Sequence, residues 1–126
     1  MDDVRAELRS GRKASHWIWF VFPQIAGLGT SQTARRYAIA SQDEASAFLR
    51  HPVLGPRLIE CTDLVLAIDG RSIEAIFGYP DHLKFQSCMT LFASCSTDVG
   101  KFEQALRTFF GGKWNEATVA RITHSP

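Results

Sequence analysis

The stretch SHWIWFVFPQ, Ser15 to Gln24, decides how the rest of the chain is read. Trp17, Ile18, Trp19, Phe20, Val21 and Phe22 form an unbroken apolar run, with Ser15-His16 before it and Pro23-Gln24 after it. As a strand, the run would be the buried centre of a sheet. As a helix, it would be a short segment whose large side chains point all round and need cover on most sides. Six apolar residues do not separate these readings by periodicity. Ser15 can cap a helix, and Pro23 ends one by pushing Phe22 towards an extended conformation. The flanking sequence settles the choice in favour of helix, because it reads helical on both sides.

On the N-terminal side, Asp2 or Asp3 can cap a helix carrying Val4, Ala6 and Leu8, which Gly11 ends. On the C-terminal side, AGLGTS is a turn in which Gly27 and Gly29 free the backbone. Ser31 then caps a helix running through Arg35, Tyr37 and Ile39. Ser41 and Glu44 make a capping box. Pro52 and Pro56 each suit a first helical turn. Leu58, Cys61, Leu64, Val65 and Ile68 recur at three and four, and Asp69-Gly70 ends that helix. Ser72 opens a short helix closed by Gly78. Pro80 starts a longer one with Phe85, Cys88, Met89 and Phe92 on one face. Thr97 or Asp98 caps the segment bearing Phe102, Leu106 and Phe109, and Asn115 caps the last helix. The sequence therefore predicts an all-α protein, with residues 1–126 forming one compact domain of seven or eight short helices.

Composition agrees. A chain of 126 residues with 45% hydrophobic and 21% charged residues is a normal soluble globular composition. Folding at this size buries roughly two thirds of the unfolded surface. The formal charge of +1 draws the whole protein neither to nucleic acid nor to anionic lipid. The start MDDVRAELRS lacks the basic and apolar regions of a secretory signal, and no run approaches the roughly 18 apolar residues of a span. Cys61, Cys88 and Cys95 are odd in number and show no C-x-x-C spacing, which argues for reduced core thiols and a cytoplasmic setting.

The motifs of common chemistry are missing. His16, His51, His82 and His124 include no i, i+4 pair and no H-E-x-x-H, so no metal site is expected. There is no G-x-S-x-G elbow. Gly27-Leu28-Gly29 has no βαβ context and is not a dinucleotide fingerprint. No cofactor is implied. His51 is expected to cap the helix that precedes it.

Two segments border apolar surface with polar groups. The aromatic run has His16 and Gln24 at its ends, and a recess lined by tryptophan faces with a few polar tips suits a planar ligand. Lys84 neighbours Ser87, Cys88 and Leu91 on its helix, so it edges the apolar face. It either snorkels to water or meets an anion. Arg12 and Lys13 are either a second anion anchor or a solvated loop. The candidate ligand-binding residues are Lys13, His16, Trp17, Trp19, Gln24, Lys84 and Ser87.

GRKASHWIWFVFPQIAGLG, YAIASQDEASAFLRHPVLGPRL and IFGYPDHLKFQSCMTLF occur here in that order. In these three blocks the chain resembles the bacterial Domain of Unknown Function 1810 family, from about Leu8 to the last helix. Some members carry the automatic name calpastatin, which the resemblance gives no reason to adopt. The resemblance implies an all-helical domain and no established activity. It places the family's recurring polar positions on Lys13, Ser15, His16 and Gln24, on Tyr37, His51 and Arg57, and on Asp81, Lys84, Ser87 and Thr90, without a role for any of them. Members usually have a longer segment before ELRSGRK. If that segment covers the aromatic block elsewhere, this chain would expose the block or bury it against a partner.

Two functions remain in view. One is a small anionic or nucleotide-like ligand held between the aromatic segment and the Lys84 helix. The other is a non-catalytic protein–protein interaction module, with a homo-oligomer as one form of it. The sequence does not decide whether the protein is an enzyme.

Overall fold

The protein, represented by a computed structural model, is described at residues 2–28, 31–95 and 100–123. Those residues hold nine helices and no strand beyond a single parallel bridge between Ile25 and Ile39. The helices are α1 (Asp2–Ser10), α2 (Ile18–Val21), α3 (Gln32–Tyr37), α4 (Gln42–Arg50), α5 (Leu54–Leu66), α6 (Ile73–Phe77), α7 (Asp81–Cys95), α8 (Lys101–Phe110) and α9 (Glu116–Thr123). The nine helices coincide with the nine segments read as helical, one or two more than the expected total of seven or eight, with α2 and α6 only four and five residues long.

Local signals place most of these ends. Ser31, Ser41 and Ser72 accept hydrogen bonds from the backbone N–H three residues on, as N-caps do. Asn115 Oδ1 accepts from Thr118 N at 2.9 Å. The capping box at α4 is shifted by one residue: Glu44 Oε2 accepts from Ala40 N, not from Ser41 N. The expected caps Thr97 and Asp98, together with Gly29 and His124, lie outside the described residues.

Three local expectations are corrected. Ser15 does not cap α2; its backbone N–H and its hydroxyl both donate to the Glu7 carboxylate. Trp17 holds the N-cap position instead, with no side-chain capping bond to the helix. Second, α3 ends at Tyr37, because Ile39 is drawn into the bridge. Its N–H donates to Gln24 O at 2.8 Å, and its carbonyl accepts from Ala26 N at 2.7 Å. Third, His51 is the C-cap of α4 as expected, with its N–H donating to Phe48 O, but its side chain serves the helix that follows, since Nδ1 accepts from Val53 N and Leu54 N, both at 3.1 Å. Pro52 accordingly sits in the turn ahead of α5, while Pro56 lies in its first turn.

The core is organised around α7. Phe85, Ser87, Cys88, Met89, Thr90, Leu91 and Phe92 are consecutive or nearly so and all buried. A helix apolar on every side needs cover on every side, and α7 packs against α2, α4, α6, α8 and α9. The aromatic run is therefore a one-turn wedge set against the central helix. Phe22 meets Phe85 edge-on at 5.0 Å and Phe77 at 5.8 Å, and Phe77 stacks on Phe85 at 4.9 Å. Trp17, Ile18, Val21 and Phe22 are buried within this chain. The expected exposure of the aromatic block is thus limited to Phe20, which packs near Tyr37 at the surface, and to part of Trp19.

Candidate functional site

Asp81 lies in the first turn of α7, and Lys84 follows three residues on, one helical turn away. The Asp81 carboxylate accepts from Lys84 Nζ at 2.9 Å on one oxygen and pairs with Lys13 Nζ at 2.7 Å on the other. Burial alone would raise the Asp81 pKa, but the hydrogen bonds from Lys13 and Lys84 outweigh it and hold the carboxyl below its ordinary value. The Lys13 side chain is only 6% exposed. Both ammonium groups also lie over indole rings: Lys84 Nζ is 4.2 Å from the Trp19 centroid and Lys13 Nζ 5.4 Å from that of Trp17. Two lysines and one aspartate leave this cluster with one net positive charge.

A hollow of about 500 Å³ opens beside it. Trp19 and Gln24 come from the wedge and its exit, Leu28 and Ser31 from the following turn, Lys84 and Ser87 from α7, and Asn115 from the cap of α9. Gln24 is placed by the Ile25–Ile39 bridge, since its carbonyl accepts from Ile39 N. Asn115 is placed by Thr90, whose hydroxyl accepts from Asn115 N at 2.9 Å and donates to Gln86 O. Ser87 is buried and donates its proton to Leu83 O at 3.0 Å, so towards the hollow it offers only lone pairs. Trp19 Nε1 is buried and has no hydrogen-bond partner among the described residues. Most buried polar groups in proteins are paired, so this one is unusual.

Of the candidate residues, Trp19, Gln24, Lys84 and Ser87 line this hollow, and Lys13, His16 and Trp17 do not. Lys13 stands behind it as the second partner of Asp81. Trp17 is core, with Nε1 donating to Glu7 Oε1 at 2.9 Å. His16 is exposed.

Two carboxylates organise the region: Asp81, a recurring polar position to which the sequence gave no role, and Glu7, which sequence reasoning passed over. Nothing near Asp81 in the sequence points to Lys13, whose partnership with Asp81 is purely tertiary. The i, i+3 spacing to Lys84 was the one legible hint. Glu7 accepts from Ala14 N, Ser15 N, Ser15 Oγ and Trp17 Nε1. Burial works against its charge, but these donors pull its pKa down to about 2. It thereby fixes the loop that delivers Lys13 and the wedge.

Cysteine chemistry is disfavoured. Burial pushes the Cys61 thiol up to about 11 and the Cys88 and Cys95 thiols above their ordinary value, away from the reactive thiolate. Among the described residues no group of three or more His, Cys, Asp or Glu could hold a metal ion, and no helix is long and apolar enough to cross a membrane.

Fold and site together define an all-helical protein with a broad, mostly apolar hollow edged by one lysine. The chain belongs to the family described as protein of unknown function (DUF1810), whose model matches residues 1–122. It is similar to the conserved hypothetical protein Rv1873 from Mycobacterium tuberculosis, with 52% identity and a TM-score of 0.96. That likeness covers 98% of this chain and 89% of the other. No curated protein matches the chain.

Proposed function

We propose that the hollow between the aromatic wedge and α7 binds a small anionic or nucleotide-like ligand, with Lys84 as the charged contact. One observation carries the reading: Trp19, Gln24, Lys84 and Ser87, separated by up to sixty-odd positions in sequence, line a single recess of about 500 Å³, within the range of small-molecule sites. Lys84 supplies positive charge at the edge, and the Trp19 ring supplies a flat apolar wall. Lys13 acts through Asp81, as a positioning residue. The ligand-binding role of His16 and Trp17 has no support in their placement. The free thiols of Cys61, Cys88 and Cys95 support a reducing, cytoplasmic setting, and the mycobacterial relative supports a bacterial one.

The test is a thermal-shift panel of nucleotides, sugar phosphates and organic acids on wild type and Lys84→Ala. At least one compound is expected to raise Tm in the wild type and to lose most of that effect in the variant. A panel with no compound selective for wild type overturns the reading.

A second reading rests on Tyr79, 75% exposed, and Leu83, 41% exposed, near the start of α7. These side chains suit an interaction module that grips a partner protein or a second copy at the rim. A mass that stays monomeric across a concentration series, with no partner co-purifying, speaks against it.

A further inference from the structure

The hollow selects by charge count and by polarity. Among the described lining residues Lys84 is the one that carries a charge. Its ammonium is already shared with Asp81, and Asp81 in turn is shared with Lys13, so the cluster presents one net positive charge and no more. The protein as a whole is close to neutral and adds no strong field. A ligand with two to four negative charges would leave most of them unmatched in a recess walled by Leu28, Ala34, Pro80, Leu83 and Ala117. Desolvating an unpaired charge against such walls is costly. The polar groups near Lys84 are few. The Gln24 amide has no side-chain hydrogen bond among the described residues, and the Ser87 proton is committed to its own helix. The N-cap residues of α3 and α9, Ser31 and Asn115, line the recess, and their side chains already accept from the N–H groups of Ala34 and Thr118.

Resting on the ligand-site reading above, we infer that the ligand is an organic monoanion with an apolar body: a carboxylate whose head meets Lys84 and Gln24 and whose hydrocarbon or aryl portion lies along Trp19, Leu28 and Leu83. Nucleotides and sugar phosphates are disfavoured by the same geometry. The apolar body is as necessary as the charge. A single exposed lysine–carboxylate contact is weak in water, too weak to hold a ligand on its own.

The probes are 3-phenylpropionate, its neutral amide, acetate, inorganic phosphate and AMP. The readout is the indole Nε1–H resonance of Trp19, assigned by its loss in Trp19→Phe. Among the indoles, Trp17 is fixed on Glu7 and serves as an internal control. 3-Phenylpropionate is expected to shift the Trp19 signal and to bind at least tenfold more tightly than the amide, acetate, phosphate or AMP. Lys84→Gln should lower its affinity about tenfold. Leu83→Glu, at a position 41% exposed where folding is little affected, should do so at least as strongly by adding a repelling charge. Equal binding of the amide overturns the charge requirement, and equal binding of acetate overturns the apolar one. If AMP or phosphate shifts Trp19 at lower concentration than 3-phenylpropionate, this inference fails while the ligand site stands. If no probe moves Trp19, this inference fails, and the thermal-shift panel above decides separately whether the ligand site stands.

Discussion

Asp81 is the residue on which the site turns. It neutralises a lysine almost wholly removed from water and aims a second one across an indole face. Removing one member of a buried pair leaves an uncompensated charge, which is more damaging than never having had the pair. Asp81→Asn is therefore expected to lower stability by about 3 kcal/mol in urea denaturation. The double variant Asp81→Asn, Lys13→Met should recover a good part of that loss, because no charge is then stranded. A double variant no more stable than the single one would mean that Lys13 draws its compensation from elsewhere.

At the scale of elements, the junction between α4 and α5 leaves less room for a side chain than any other described glycine position. A Cβ built on Gly55 would lie 2.0 Å from the carbonyl oxygen of Leu49. That atom is backbone and has no rotamer through which to yield. The close approach lets the two helices form a compact hairpin, with His51 capping α5 from within the turn. Gly55→Ala is expected to cost about 3 kcal/mol, the upper part of the usual range for overpacking, even though alanine is the better helix former. Thermal or urea unfolding of the variant checks it; a gain in stability would show that the hairpin can open without loss. The central helix behaves differently. Since α7 packs against five other helices, its buried residues Phe85, Cys88, Met89, Leu91 and Phe92 leave little room for change, whereas Leu83 at the hollow is exposed.

For the whole molecule, the low pKa values of Glu7 and Asp81 set the response to acid. Glu7 has an ordinary value of 4.5 and a folded value of about 2; Asp81 is also shifted down from its ordinary 3.8. Each group contributes stability that is fully present above its unfolded pKa and is lost as pH falls through the folded one. Stability is therefore expected to be level with respect to these groups above about pH 5 and to decline between about pH 4.5 and pH 2. Glu7→Gln should be less stable at pH 7 and flatter across that acid window, as read from urea midpoints at a series of pH values. An unchanged acid slope would remove Glu7 as its source.

The helical class, the caps at Ser31, Ser41, Ser72 and Asn115, and the buried face of α7 were all legible in the sequence, because each depends on residues a few positions apart. The same holds for the apolar wedge, whose burial follows from its composition. Only the tertiary structure decided that Trp19 faces Lys84 while Trp17 turns into the core, that Lys13 pairs with Asp81, and that Glu7 gathers four donors. Sequence determined the elements because hydrogen-bonded turns and apolar periodicity are local. The hollow and its single charge come from contacts between distant segments, whose register is set by how the core packs around one enclosed helix.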